Sequence, residues 1–232
     1  MFKRIIDEAR EHGPRSFSLH LFGEPLLYKR IMDAIAYIKQ SNPRNTILLT
    51  TNGTYLESAA KDSRLFEVSQ ILWSWREEAK FSEVLKDKLR EWGKFRVRFI
   101  KEVTPPEARE EWASWPNVEE RSLHNYGGNI NLSDMSSVSV ENPTVSQTRH
   151  PCYHLWLAPA VAWNGDILLC CSDPHRKEVL GRFPEVSVGE AWRGDRLANI
   201  RLSHLRGEYG GICSGCDVWR QYPDIFFKWQ KR

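Results

Sequence analysis

Apolar residues along this chain recur with two periods that alternate from Phe2 to about Leu123. Phe2, Ile5, Ile6 and Ala9 share one helical face, and Gly13-Pro14 interrupts that pattern before the run Ser16 to Leu21, which suits a strand. A second helix is predicted from about Tyr28 to Lys39, where Ile31, Ile35, Ala36 and Ile38 are apolar. There follow a strand at Thr46 to Thr50, a helix near Leu56 to Phe66, a strand at Gln70 to Trp75 and a helix near Phe81 to Trp92. A strand at Phe95 to Ile100, a helix after Pro105-Pro106 and a strand at Val118 to Leu123 complete the series. This rhythm predicts a parallel sheet of five strands joined by crossover helices. The leading helix has no strand before it, so one βα element of such a winding is expected to be missing.

From His124 to His150 the pattern gives way to Gly127-Gly128 and a stretch rich in Ser, Asn and Thr, read as a linker. Beyond it, strands around Trp156 to Ala162 and Asp166 to Cys170 are expected to turn at Asn164-Gly165 as a hairpin, with a helical stretch from about Val188 to Leu205. The predicted organisation is thus 1–123 as an α/β domain, 124–150 as a connecting segment and 151–232 as a small cysteine-rich domain.

At 232 residues the chain can bury a core without a metal staple. Thirty-three basic against 30 acidic residues leave a net charge of +3, which argues for neither nucleic acid nor an anionic membrane as a partner. No apolar run is long enough to span a bilayer, and the first 15 residues read as an amphipathic helix, so a cytoplasmic location is expected.

The chemistry lies in the cysteines. All five, Cys152, Cys170, Cys171, Cys213 and Cys216, come after residue 150, and an odd count without an export signal argues against a disulfide framework. Cys213 and Cys216 form a C-x2-C pair, which presents two thiolates to one centre. Cys152 follows a proline and Cys170 ends the second hairpin strand, so strand pairing would add them to the same site. Four thiolates suit either zinc or an iron–sulfur cluster. Successive side chains on a strand point oppositely, so only one of Cys170 and Cys171 is expected to be a ligand. Cys170 is preferred, with Cys171 as the alternative. His150, His154, His175 and His204 are further donors that a zinc site could use.

The series Cys152-x12-Gly165-x4-Cys170, then Cys213-x2-Cys216, resembles the SPASM extension of radical SAM enzymes, which holds auxiliary 4Fe-4S clusters. Trp163 to Asp166, Asp173, Leu180-Gly181, Val188 to Trp192 and Arg201 agree with it, and the lack of cysteines after Cys216 implies one auxiliary cluster. Upstream, Gly23-Glu24-Pro25 is similar to the motif that meets the amino group of S-adenosylmethionine in that superfamily, with Phe22 in place of the motif's first glycine. Thr51-Asn52-Gly53 resembles the turn at the next strand end, and Ser74 stands where a fourth-strand serine approaches the cofactor. Asn125 to Gly128 is similar to a turn that closes the sixth strand in such relatives.

The resemblance implies an incomplete (β/α)6 partial barrel followed by a SPASM-like domain. It implies S-adenosylmethionine near Gly23, Glu24, Pro25, Asn52 and Ser74, and an auxiliary cluster on Cys152, Cys170, Cys213 and Cys216. The family's CxxxCxxC segment is absent, because no cysteine precedes Cys152. No catalytic residue is therefore assigned, and the chain is not expected to cleave S-adenosylmethionine alone. Its family chemistry is the radical modification of a substrate, often a peptide. The alternatives are a zinc-holding module without catalysis, or a subunit that presents substrate to a partner protein supplying the missing cluster segment.

Overall fold

In a computed structural model, which describes residues 1–126, 129 and 149–221, the chain forms two compact units, Phe2–Ser122 and Leu123–Arg232. The first is built on five strands, β1 (Ser16–Ser18), β2 (Thr46–Thr51), β3 (Gln70–Ser74), β4 (Phe95–Ile100) and β5 (Val118–Arg121). All neighbouring pairs are parallel, and the strands stand in their chain order. A sheet wound in one direction sends its crossovers to one side. The helices α1 (Phe2–Arg10), α2 (Ile31–Ser41), α3 (Leu56–Ala59), α4 (Glu83–Trp92) and α5 (Pro106–Glu111) accompany these strands.

The alternation along each strand decides which face the helices cover. Ile47 and Leu49 of β2, Ile71 and Trp73 of β3, and Phe95, Val97 and Phe99 of β4 are buried in one core with Ile6, Ile35, Ile38, Leu56, Leu85 and Leu89 from the helices. Trp73 is the hub: its ring packs against Phe81, Phe95 and Trp112 at centroid distances of 4.7, 6.3 and 4.8 Å. Such aromatic contacts contribute about 0.5–1.5 kcal/mol each beyond their buried area. The opposite face carries Thr50, Leu72, Ser74, Arg96, Arg98 and Glu119, and it is polar where β4 meets β5. There Glu119 accepts from Arg96 (3.0 Å) and Arg98 (2.6 Å).

Several expected elements differ in extent. The strand expected over Ser16 to Leu21 ends at Ser18, after one further ladder bond from Leu19 N–H to Leu48 O, because the chain then turns into Gly23-Glu24-Pro25. The helix expected from Tyr28 starts at Ile31, since Glu24 caps a separate 3-10 turn over Pro25–Leu27. The helix expected over Leu56 to Phe66 is α3 followed by a 3-10 turn at Ser63–Glu67. Asp62 starts that second turn by accepting from the Arg64 amide.

The second unit holds an antiparallel sheet of β6 (Ala160–Val161), β7 (Asp166–Leu168) and β8 (Val179–Arg182), with β7 central. Trp156 belongs to the helical turn α6 (His154–Leu157) and not to the hairpin strand expected for it; the chain becomes extended only at Ala158. The helical stretch expected from Val188 is two helices, α7 (Val188–Arg193) and α8 (Asp195–Leu205), separated by the extended Gly194. The boundary falls after Ser122, and His124, Asn125, Tyr126, Asn129, Arg149 and His150 of the expected linker group with the second unit. The rest of that linker, with Gly127-Gly128, lies outside the described residues. Among the described residues no helix is long and apolar enough to cross a membrane.

Candidate metal centre

The second unit has its own small core, Leu155, Leu169, Leu197 and Ile212, and two of the cysteines, Cys170 and Cys213, pack against it. The hairpin that delivers Cys170 is pinned at Gly165, whose φ of +92° disfavours any side chain. A Cβ there would also stand 2.5 Å from the Phe183 carbonyl. Asp166 is tied to Asn164 (2.7 Å) and to Arg182 of β8 (2.8 Å), and those two bonds, in that order, hold its carboxyl below the usual carboxylate range.

After Leu168 the strand breaks. The Ser172 amide donates back to Cys170 Sγ (3.3 Å), and the wholly buried Asp173 accepts from the Glu178 amide (2.8 Å), closing the loop that returns the chain to β8. The C-x2-C loop is built similarly. Cys213 ends a 3-10 turn over Gly211–Cys213, and the Cys216 amide donates to the Cys213 carbonyl (3.3 Å). Arg149 donates to the carbonyls of Ser214 (3.0 Å) and Cys213, with its guanidinium 3.9 Å from the centre of the Tyr209 ring. Asn125 and Asp217 pair reciprocally: the Asn125 amide donates to the Asp217 carboxylate (2.9 Å) and the Asp217 amide to Asn125 Oδ1 (3.2 Å). Arg201 of α8 donates to the Leu155 carbonyl (2.9 Å) and so fixes α8 to the turn that follows Cys152.

These elements bring Cys152, Cys170, Cys213 and Cys216 to the wall of one cavity. Leu155, Ile212, Val218 and Trp219 supply its apolar lining, and Arg149, His154 and His204 line it as well. Cys171 is exposed and is not part of the wall; its sulfur lies 3.7 Å from His154 Nδ1. Among the described residues, no three His, Cys, Asp or Glu converge at a point where one metal ion would touch them all.

Burial dominates the electrostatics of Cys152 and Cys213. It pushes the Cys152 thiol up to about 12 and Cys213 to about 11, with mutual repulsion among the thiolates adding to the shift. In the adjacent pair, the hydrogen bond from Cys170 to Cys171, then burial, raises Cys170. The same bond, with help from His154, lowers Cys171 against its own desolvation. His204 is buried and kept neutral, its pKa lowered to about 4 by desolvation and then by Arg149. Soft donors, enclosed and costly to ionise without a cation, fit a metal cluster whose positive charge offsets that cost.

In the first unit, the strand-end residues of the expected cofactor site are joined through Glu24. Its Oε1 accepts from Thr51 Oγ1 (2.8 Å) and the Leu26 amide (3.0 Å), and its Oε2 from the Asn52 amide (2.7 Å). Gly23 is exposed and Pro25 buried in the turn that Glu24 caps. Trp73 Nε1 donates to the Asn52 carbonyl (3.0 Å), and Ser74 ends β3 on the face away from the helices. Of the residues about the centre, Asp173 entered through the resemblance and His204 as a candidate donor, whereas Arg149 and Asp217 carry no signal in the sequence.

Comparison with known proteins follows this division. Residues 152–217, which contain all five cysteines, match the SPASM family, an iron–sulfur cluster-binding domain. An uncharacterized protein of Treponema pallidum (strain Nichols) is 31% identical over 74 residues, 32% of this chain and 20% of that protein. The chain therefore matches only about one fifth of that relative's length. The fold is similar to the crystal structure of BtrN in complex with AdoMet and 2-DOIA, with a TM-score of 0.62 and 18% identity over 93% of this chain and 77% of that one. It is likewise similar to SeMet BtrN in an open conformation, with a TM-score of 0.60, 16% identity and coverage of 93% and 76%.

Proposed function

We propose that this chain is a radical SAM/SPASM-type protein in which Cys152, Cys170, Cys213 and Cys216 ligate one auxiliary 4Fe-4S cluster. The observation that carries this reading is the gathering of those four thiols on one cavity wall inside the SPASM match. Four soft thiolates inside a match to an iron–sulfur cluster-binding domain favour a cluster over a single zinc ion. When bound, such a cluster supplies one-electron redox chemistry. The chain's own part is to exclude water with Leu155, Ile212, Val218 and Trp219, and to place Arg149 beside the anionic centre.

The first unit is proposed to bind S-adenosylmethionine at the strand ends around Gly23, Glu24, Pro25, Asn52 and Ser74, and BtrN, which shares the fold, is solved with AdoMet. A carboxylate has about four acceptor positions. Glu24 uses three on Thr51, Leu26 and Asn52, so one at Oε2 remains for a ligand ammonium. Its main work is to hold the two turns together. The proposed reaction is the radical modification of a substrate.

Anaerobic purification followed by iron, acid-labile sulfide and zinc analysis tests the centre. The expected result is about four iron and about four sulfide per chain, with visible charge-transfer absorption. One zinc without sulfide would overturn the assignment.

A further inference from the structure

We infer that His204 donates its Nε2–H to a sulfur of the cluster, as a positioning residue and not as a ligand; this rests on the cluster assignment above. His204 is 2% exposed and lines the cavity. Its two nitrogens differ in what surrounds them. Nδ1 lies 3.4 Å from the backbone nitrogen of Cys152, and an amide N–H can only donate. Nδ1 is therefore the acceptor, which leaves Nε2 as the nitrogen that carries the proton. That Nε2 is buried and, among the described residues, has no hydrogen-bond partner.

Buried polar groups in folded proteins are almost always paired, so an enclosed N–H beside a cavity implies that the occupant of the cavity supplies the acceptor. Sulfide and thiolate sulfurs carry the negative charge that suits this donor. The ring is also held from behind, with the Tyr209 ring edge-on at 4.9 Å, and α8 fixes its backbone. A nitrogen that keeps its proton has no lone pair left for a metal, so the four ligand positions stay with the thiols. Because the same imidazole receives the Cys152 amide, it links the ligand loop to the cluster's sulfur shell.

A hydrogen bond to a cluster sulfur favours the more negative, reduced state and raises the reduction potential. The test is a potentiometric titration of the full chain with its reconstituted cluster. In His204→Phe the midpoint is expected to move to more negative values, and His204→Gln, which retains an N–H at similar reach, to recover most of the shift. An unchanged midpoint in His204→Phe, or an equal shift in His204→Gln, overturns the inference.

Pulsed electron paramagnetic resonance of the reduced wild-type protein, labelled with nitrogen-15 histidine, needs no variant to fold. A weak histidine nitrogen coupling supports the donor role, whereas no coupling, or the strong coupling of a metal-bound nitrogen, refutes it. Failure of the cluster reading is distinguishable, since it shows as zinc without sulfide in the unmodified protein.

Discussion

Gly53 and Gly93 offer a controlled comparison within the first unit. Both adopt positive φ, +86° and +72°, so alanine at either must enter the left-handed region, at about 1–2 kcal/mol. Stiffening of the unfolded chain returns about 0.4–1 kcal/mol at each. Their surroundings differ. A Cβ at Gly93 meets only the Glu91 carbonyl at 4.0 Å, whereas one at Gly53 would stand 2.5 Å from Trp73 Nε1, 2.8 Å from its Cδ1 and 3.0 Å from the Ala79 Cβ. Trp73 is 1% exposed and locked among Phe81, Phe95 and Trp112, so it cannot step aside.

Overpacking of that kind adds about 1–3 kcal/mol. Gly93→Ala should therefore lose about 1 kcal/mol, and Gly53→Ala about 2–4 kcal/mol, with the Trp73 bond to the Asn52 carbonyl displaced as well. Urea unfolding followed by circular dichroism measures both, provided the denaturant slope is unchanged. Equal losses, within about 0.5 kcal/mol, would show that the tryptophan wall is not what requires glycine in this turn.

Glu24→Gln should lower stability by about 1.5–3 kcal/mol, because an amide replaces one carboxylate oxygen and sets a donor against the Asn52 or Leu26 amide; thermal unfolding reads this. In a serine scan, iron content should collapse in Cys152→Ser, Cys170→Ser, Cys213→Ser and Cys216→Ser and persist in Cys171→Ser; iron loss in Cys171→Ser with retention in Cys170→Ser would reverse the ligand choice. Asp166 has its folded pKa depressed below the ordinary 3.8, so its stabilising contribution is complete above that value and disappears as pH falls through the folded pKa. Asp166→Asn should accordingly melt below wild type near neutrality, and the gap should close in acid.

How much the amino-acid pattern disclosed depends on how local each cause is. The strands Thr46–Thr51 and Phe95–Ile100 alternate cleanly because one face meets helices and the other does not, and both were legible within a residue. That Cys152, Cys170, Cys213 and Cys216 line one cavity agrees with the spacing, although the route differs: Cys170 follows the end of β7 and Cys152 precedes a helical turn instead of a paired strand. The break of the Leu56 to Phe66 helix was not legible, because it depends on Asp62 capping a second turn while apolar residues continue at helical spacing. β8 was missed: Val179–Arg182 is short and contains a glycine that must pass Val186, so it pairs with β7 through tertiary context. Arg149 lies only three residues before Cys152 and His204 nine before Cys213, but neither stands at a spacing that marks a contact with the thiols.

The Asn125–Asp217 pairing has a consequence for how the protein is made. Among the described residues, the last strand pairing of the first unit ends at Arg121. Asn125 must wait for a residue 92 positions later, which at about 5–20 residues per second is a delay of roughly 5–20 s. The last thiol emerges in that same interval. Under the proposed ligand set, the four thiols are therefore all available only once nearly the whole of the second unit has been made.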